Sequence, residues 1–347
     1  MANYSSVSRP AYVWDAANTQ WVPIGVGPHT HSVADMQNAV SNLGGSTIAN
    51  TTSTTVPLTI SGASGQSVDL LDFKNNAGSL LANIDANGNM AYQNVNYAGK
   101  NILINGGMEI DQRNTASSAV TVSNTLKYIV DRFFLYNATT SSPTAQKVSG
   151  TNVGTPYAFR VNGATSFTNG NIAQRIESLH IAPYAGKTVT FSGLIYGSTS
   201  ISGISTYAIV PSAQDNYGTT TAITSANISL TVGTTSTKFS VTFTLPSTVS
   251  NGMEIGISCS SGIASGQYID ISNFQLEVGS AATPFSRAGG TIAGELAACQ
   301  RYYQRFTNLN LSGISFANGY AYSTSGASFQ LPLRTTMRTT PSGNLSS

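Results

Sequence analysis

The chain has 347 residues, 33 of them glycine, and only 9% are charged, so solubility must rest on hydroxyls and amides more than on ion pairs. Lys and Arg number 16 against 14 Asp and Glu, which leaves neither a basic field for nucleic acid nor an acidic tail. No run approaches the ~18 apolar residues of a membrane span, which argues against membrane insertion. The opening "MANYSSVSRPAYVWD" lacks the charged and apolar regions of an export signal.

The length exceeds that of a usual single domain, so several modules are expected. Residues 1–46 hold both tryptophans, Trp14 and Trp21, followed by "GVGPHTHSVADMQNAVSNLGG". A Gly- and Pro-broken stretch, a short helical pattern and a double-glycine stop read as an attachment or linker segment that needs a partner. In "HTH", His29 and His31 stand at i and i+2. In an extended segment they point the same way, and three chains would bring six imidazoles to a three-fold axis, a cage suited to a divalent metal. The alternative is two hydrogen-bonding turn residues.

Residues 47–97 predict a β-meander, with strands at 56–61, 68–73 and 79–85 separated by "KNNAG" and "DANGN", whose Asn and Gly suit tight turns. So few short strands cannot bury enough apolar area to offset ordering costs of about 1.5 kcal/mol per residue. A shaft intertwined from three chains is the simplest remedy, and a strand-rich linker lying on a larger domain is the alternative.

Residues 98–287 predict the main domain. "KFSVTFTL" alternates Phe239, Val241 and Phe243 with Ser240, Thr242 and Thr244, and "KTVTFSGLIYG" sets Val189, Phe191 and Ile195 on one face. About ten such runs separated by turn clusters predict an all-β, two-sheet antiparallel sandwich of the jelly-roll type. The polar stretch "PSAQDNYGTTTAITSAN", residues 211–227, reads as a long functional loop.

Residues 288–347 predict one helix and then a small C-terminal β module built from "FANGYAY" and "ASFQLPL". Ile292, Leu296, Cys299, Tyr303 and Phe306 fall on one helical stripe, with Thr291 as cap and Arg301 and Arg305 turned to water or a neighbouring chain. Cys259 and Cys299 belong to no CxxC or zinc spacing and are expected to be buried free thiols, with one disulfide as the alternative.

Signals for enzymatic chemistry are weak. "AGKT" at 185–188 lacks the upstream glycine of a phosphate loop, since Ile181 stands there. His180 sits in no nucleophile elbow. Asp131 and Glu177 adjoin or lie near arginines, Arg132 and Arg175, so an intradomain ion pair is expected of each before any catalytic role. Sugar binding needs aromatic faces beside amides and carboxylates. Asp215, Asn216 and Tyr217 are the candidate ligand-binding residues.

Four stretches together carry a resemblance: "NILINGGMEIDQRN" with "YIVDRFF", "QRIESLHIAPYAGKTVTFSGLIYG", "ISNFQLEVGSAATPFSR" and "ELAACQRYYQRF". In this order they resemble segments of bacteriophage tail-fibre and related virion proteins with a carbohydrate-binding-like jelly roll. The residue 47–97 region is similar to shaft segments of such fibres, especially from cyanophages. The resemblance implies a non-enzymatic homotrimer in the virion. Its N-terminal segment would join a tail, adaptor or nozzle protein, and its sandwich would meet host surface polysaccharide. It also implies further β structure beyond the end of this chain. The alternatives are a neck or baseplate fibre that never touches a receptor, and a carbohydrate-binding module of a secreted enzyme.

Overall fold

The computed structural model describes strands at 12–15 and 20–23, then residues 60–76, 78, 80–88, 90–92, 98–114, 118–306 and 318–343. The chain divides into two units, Met1–Ser61 and Gly62–Ser347. In the first, β1 (Tyr12–Asp15) and β2 (Gln20–Pro23) form an antiparallel hairpin with Trp14 in register with Trp21. His29 and His31 lie outside the described residues.

In the second unit, β3 (Leu71–Lys74), β4 (Leu80–Ile84) and β5 (Met90–Tyr92) form a three-stranded antiparallel meander. Phe73 and Leu81 are exposed on it, as expected of strands with too little area to make their own core.

The main body is a sandwich of two six-stranded sheets. In chain order its strands are β6 (Val120–Thr121), β7 (Thr125–Val130), β8 (Phe133–Asn137), β9 (Thr144–Ser149), β10 (Tyr157–Asn162) and β11 (Gly170–Ile176). They continue with β12 (Thr188–Gly197), β13 (Ile204–Ala213), β14 (Asn216–Ala222), β15 (Thr237–Thr244), β16 (Met253–Cys259) and β17 (Tyr268–Val278). One sheet runs β15-β12-β17-β10-β9-β6 and the other β14-β13-β16-β11-β8-β7. The paired neighbours are antiparallel, and the fold is an all-β jelly-roll sandwich.

The alternation expected of β12 and β15 is present: Phe239, Val241 and Phe243 are buried with Val189, Phe191 and Ile195 in one core. Its centre is a ring cluster. Phe274 packs edge-on against Phe191, Phe239 and Phe133 at centroid distances of 5.3, 5.8 and 5.8 Å. Gly193 makes room for it, since a Cβ there would stand 2.6 Å from the Phe274 ring and 2.8 Å from Phe239. The β12–β17 pairing also shifts register between Ser192 and Leu194, bending the strand around the cluster.

The stretches that carry the family resemblance largely do structural work. Residues 100–108 run largely buried through the body outside any strand, and their side chains and backbone are tied by hydrogen bonds to the elements around them. Asn101 donates to Phe274 O and Ser286 O at 2.9 and 3.0 Å, and Asn105 donates to Ile110 O and Asp131 O at 2.8 Å each. Gln174 pairs both ways with the Ile104 backbone. Gln275, Glu277, Thr283 and Ser286 close a similar loop after β17.

Two sequence expectations need correction. Residues 211–227 are not one loop: they end β13, turn at Gln214–Asp215 and form edge strand β14, in which Thr220, Thr221 and Ala222 pair with Pro211, Val210 and Ile209. The helix is shorter than its stripe. A four-residue helix, α1 (Ser178–Ile181), precedes β12, and the expected helix, α2, covers Ile292–Gln300 only.

Thr291 caps α2 by accepting from Gly294 N at 3.1 Å. Arg301 N and Tyr303 N still bond back to Ala297 O and Cys299 O, and the Arg301 carbonyl accepts from Arg338 N at 2.8 Å, a partner from 37 residues on. The buried face also differs, for Glu295 is 1% exposed while Ile292 is 51% exposed. Glu295 accepts from Asn105 N and Gly289 N, so α2 docks through a carboxylate and Cys299 more than through an apolar stripe. A C-terminal hairpin, β18 (Asn318–Ala321) with β19 (Ala327–Gln330), follows, and the described chain runs on to residue 343.

Candidate functional site

Alternation in the β14-to-β7 sheet sends Phe133, Leu135, Ile172, Ile176, Ile255 and Ile257 into the core, and therefore turns Phe134, Arg175 and Glu254 to the outer face. That face meets a cleft of about 260 Å³ lined by side chains from the β7–β8 turn, the end of β11, the β13–β14 turn, the residues after α2, and Arg338.

Two tight turns build its rim. Val130 pairs with Phe133, leaving Asp131 and Arg132 as a two-residue connection, and Ala213 pairs with Asn216, leaving Gln214 and Asp215. In each turn the second residue is left-handed, Arg132 at φ 74° and Asp215 at φ 54°. Glycine or asparagine is the usual occupant of such a position, and another residue there costs about 1–2 kcal/mol.

Asp215 and Tyr217 line the cleft, and Asn216 does not. The Asp215 carboxylate accepts from Ser178 N at 2.8 Å, Ser178 Oγ at 3.2 Å and Arg338 Nη2 at 3.3 Å. Tyr217 donates to Ile176 O at 3.3 Å, and its ring carries Arg175 at 4.3 Å. Asn216 is exposed and accepts from Gly218 N.

Asp131 does not pair with Arg132, nor Glu177 with Arg175; the ion pairs of Arg175 and Glu177 form with residues of other elements. Arg175 Nε pairs with Glu254 Oε2 at 2.7 Å on the adjacent strand. Glu177 is buried and accepts from Arg301 Nε at 2.9 Å, Tyr302 Oη at 2.7 Å and Arg338 Nε at 3.0 Å. Asp131 accepts from Gln112. Arg132 donates to Arg175 O. Arg301 therefore does not face water freely, as the helical reading expected.

Electrostatics follow from these contacts. Burial would raise the Glu177 carboxyl, but hydrogen bonds from Arg301 and Tyr302 outweigh it and hold the group below the usual glutamate value. Burial pushes Asp131 up despite the Gln112 bonds, and it pushes Tyr302 up to about 12. His180, 3.6 Å from Glu177, is lowered by desolvation, which exceeds the attraction of that carboxylate.

Sequence reasoning did not select Arg113, Arg132, Arg175, Tyr302, Tyr303 and Arg338, which also line the cleft. Their guanidiniums lie on rings: Arg132 over Tyr302 at 3.5 Å, and Arg113 over Tyr303 at 3.8 Å and Tyr128 at 5.3 Å. The usable signal was the density of Arg and Tyr in "CQRYYQRF", but nothing local tied it to Arg132 or Arg338. Among the described residues, no group of three or more His, Cys, Asp or Glu is placed to hold a metal.

No family model matches the chain, and no curated protein does. Among solved structures it is similar to the enzymatically active domain of tailspike protein 4 of bacteriophage CBA120, at 16% identity and TM-score 0.34. That match covers 52% of this chain and 21% of the tailspike chain. It is also similar to the CBM22-1 xylan-binding domain of Paenibacillus barcinonensis Xyn10C, at 11% identity and TM-score 0.33, over 53% of this chain and 98% of that domain. TmCBM61, solved in complex with β-1,4-galactotriose, is similar at 11% identity and TM-score 0.30, over 52% and 99%. At such values the likenesses carry no argument about what the cleft holds.

Proposed function

We propose that the chain is a homotrimeric phage tail-fibre protein that attaches through its N-terminal region and holds host surface saccharide in the cleft of its sandwich. The observation that carries the binding reading is the cleft itself: a cavity of about 260 Å³ where four tyrosines, four arginines and three carboxylates converge from six chain segments. Concave sites with a few converging polar groups are where ligands settle. Each cleft carboxylate already accepts from protein donors, which favours binding over acid–base catalysis. The fibre reading is supported by the four sequence stretches that resemble tail-fibre segments. Three weak contacts per trimer, repeated over several fibres, would give firm attachment by avidity.

One observation favours a second reading, a structural virion fibre without a receptor. Glu177, Arg301 and Arg338 tie the cleft walls to each other, as a clamp between modules would. A glycan array of neutral and acidic saccharides, probed with the full chain alongside a Tyr217→Ala variant, separates the two. Saccharide retention that the variant loses is the expected result. No retention at millimolar saccharide would leave the structural reading. A mass in solution of one chain, 36.1 kDa, at micromolar concentration would overturn the fibre assignment.

A further inference from the structure

We infer that the saccharide taken by the cleft is anionic, its carboxylate or sulfate gripped by Arg132 and Arg113. This rests on the binding reading above and deepens it.

The cleft's cations fall into two groups. Arg175 is paired with Glu254, and Arg338 with Glu177 and Asp215. Arg113 and Arg132 have no carboxylate within 4 Å among the described residues, yet both line the cleft. Arg132 is 7% exposed, and its Nε is buried without a hydrogen-bond partner. A buried charged donor left open is costly, and an anion entering the cleft would offset that cost.

Geometry points the same way. A guanidinium keeps its N–H donors in its own plane, so stacking on a ring does not consume them; in Arg132 Nη2 already donates to Arg175 O, and Nε is the donor left without a partner. Arg132 is so stacked on Tyr302 at 3.5 Å and Arg113 on Tyr303 at 3.8 Å. The same stacks occupy one face of each ring, a face on which a neutral pyranose would otherwise lie. Recognition therefore shifts from ring stacking to charge. Arg132 also stands at a left-handed turn position, φ 74°, that glycine would fill without strain. Holding an arginine there is explained by a need for its guanidinium at that point.

The test uses the intact protein and an array of matched saccharides: uronate-, sialate- and sulfate-bearing oligosaccharides beside their neutral counterparts. Anionic members are expected to be retained over neutral ones, with retention falling from 50 to about 500 mM salt as ion-pair screening requires. Arg132→Gly and Arg113→Gln should each weaken that retention about tenfold. Arg132→Gly suits the turn, and an unchanged melting temperature would show that it folds. The carboxylate and sulfate arms distinguish which anion is held. Equal or better retention of neutral saccharides overturns the inference while leaving saccharide binding intact, as does anionic retention that neither variant alters. Retention of no saccharide removes both readings.

Discussion

The Arg301 guanidinium donates to Glu177 at 2.9 Å, joining the residue just past α2 to the residue just past β11, 124 positions earlier. Arg338 and Tyr302 converge on the same carboxylate. One buried acid thus holds the helix end and the 334–338 segment against the sandwich, and it shapes the cleft between them.

Replacing Glu177 by Gln should lower stability by about 1–3 kcal/mol, the range for a buried group that loses charge-assisted partners. The effect depends on pH. Because the folded-state value of Glu177 is depressed, its contribution is present above the unfolded value and is lost as pH falls through the folded one. Asp131 and Glu295, whose values are raised by burial, act in the opposite sense, since their destabilisation at neutral pH fades as they protonate. The difference in melting temperature between the native chain and Glu177→Gln should therefore shrink below about pH 4. A constant difference from pH 7 to pH 2 would contradict this.

Glu295→Ala should destabilise more than Leu296→Ala. The first leaves Asn105 N and Gly289 N without their acceptor in a buried site, at roughly 1–3 kcal/mol per orphaned group, whereas Leu296 is only half-buried. Chemical denaturation of the two variants checks the order.

Gly256 lies in β16, where a Cβ would come within 2.0 Å of Ile172 O on the neighbouring strand. Gly256→Ala must force the two central strands apart, and a loss of about 3 kcal/mol or more is expected. Native-like denaturation of this variant would show that the β11–β16 spacing is looser than described.

Cys259 and Cys299 are 0% and 1% exposed, and burial raises both thiols, Cys259 to about 12. In the folded protein neither should react with a thiol reagent at pH 8, because the thiolate is the attacking species. In denaturant two equivalents should react at once, which also distinguishes two free thiols from a disulfide. Fast labelling of the folded chain would contradict the burial.

What the sequence determined by itself was the class and much of the core. Alternating runs such as 237–244 state which side chains turn inward, because the strand period is two and burial follows it. Thr291 as a helix cap and two unpaired cysteines were also legible, being local features. The contacts at the helix end and its buried face were not, since Arg338 N takes up the Arg301 carbonyl and Asn105 N fixes Glu295, and both partners lie far away in the chain. The cleft belongs wholly to tertiary structure. Asp215 and Tyr217 could be guessed as loop residues, but Arg113, Arg132, Tyr302, Tyr303 and Arg338 meet them only after two sheets, a helix and a late segment have packed. Charged side chains choose partners across elements, where burial and opposite charge coincide, and no spacing along the chain encodes that choice.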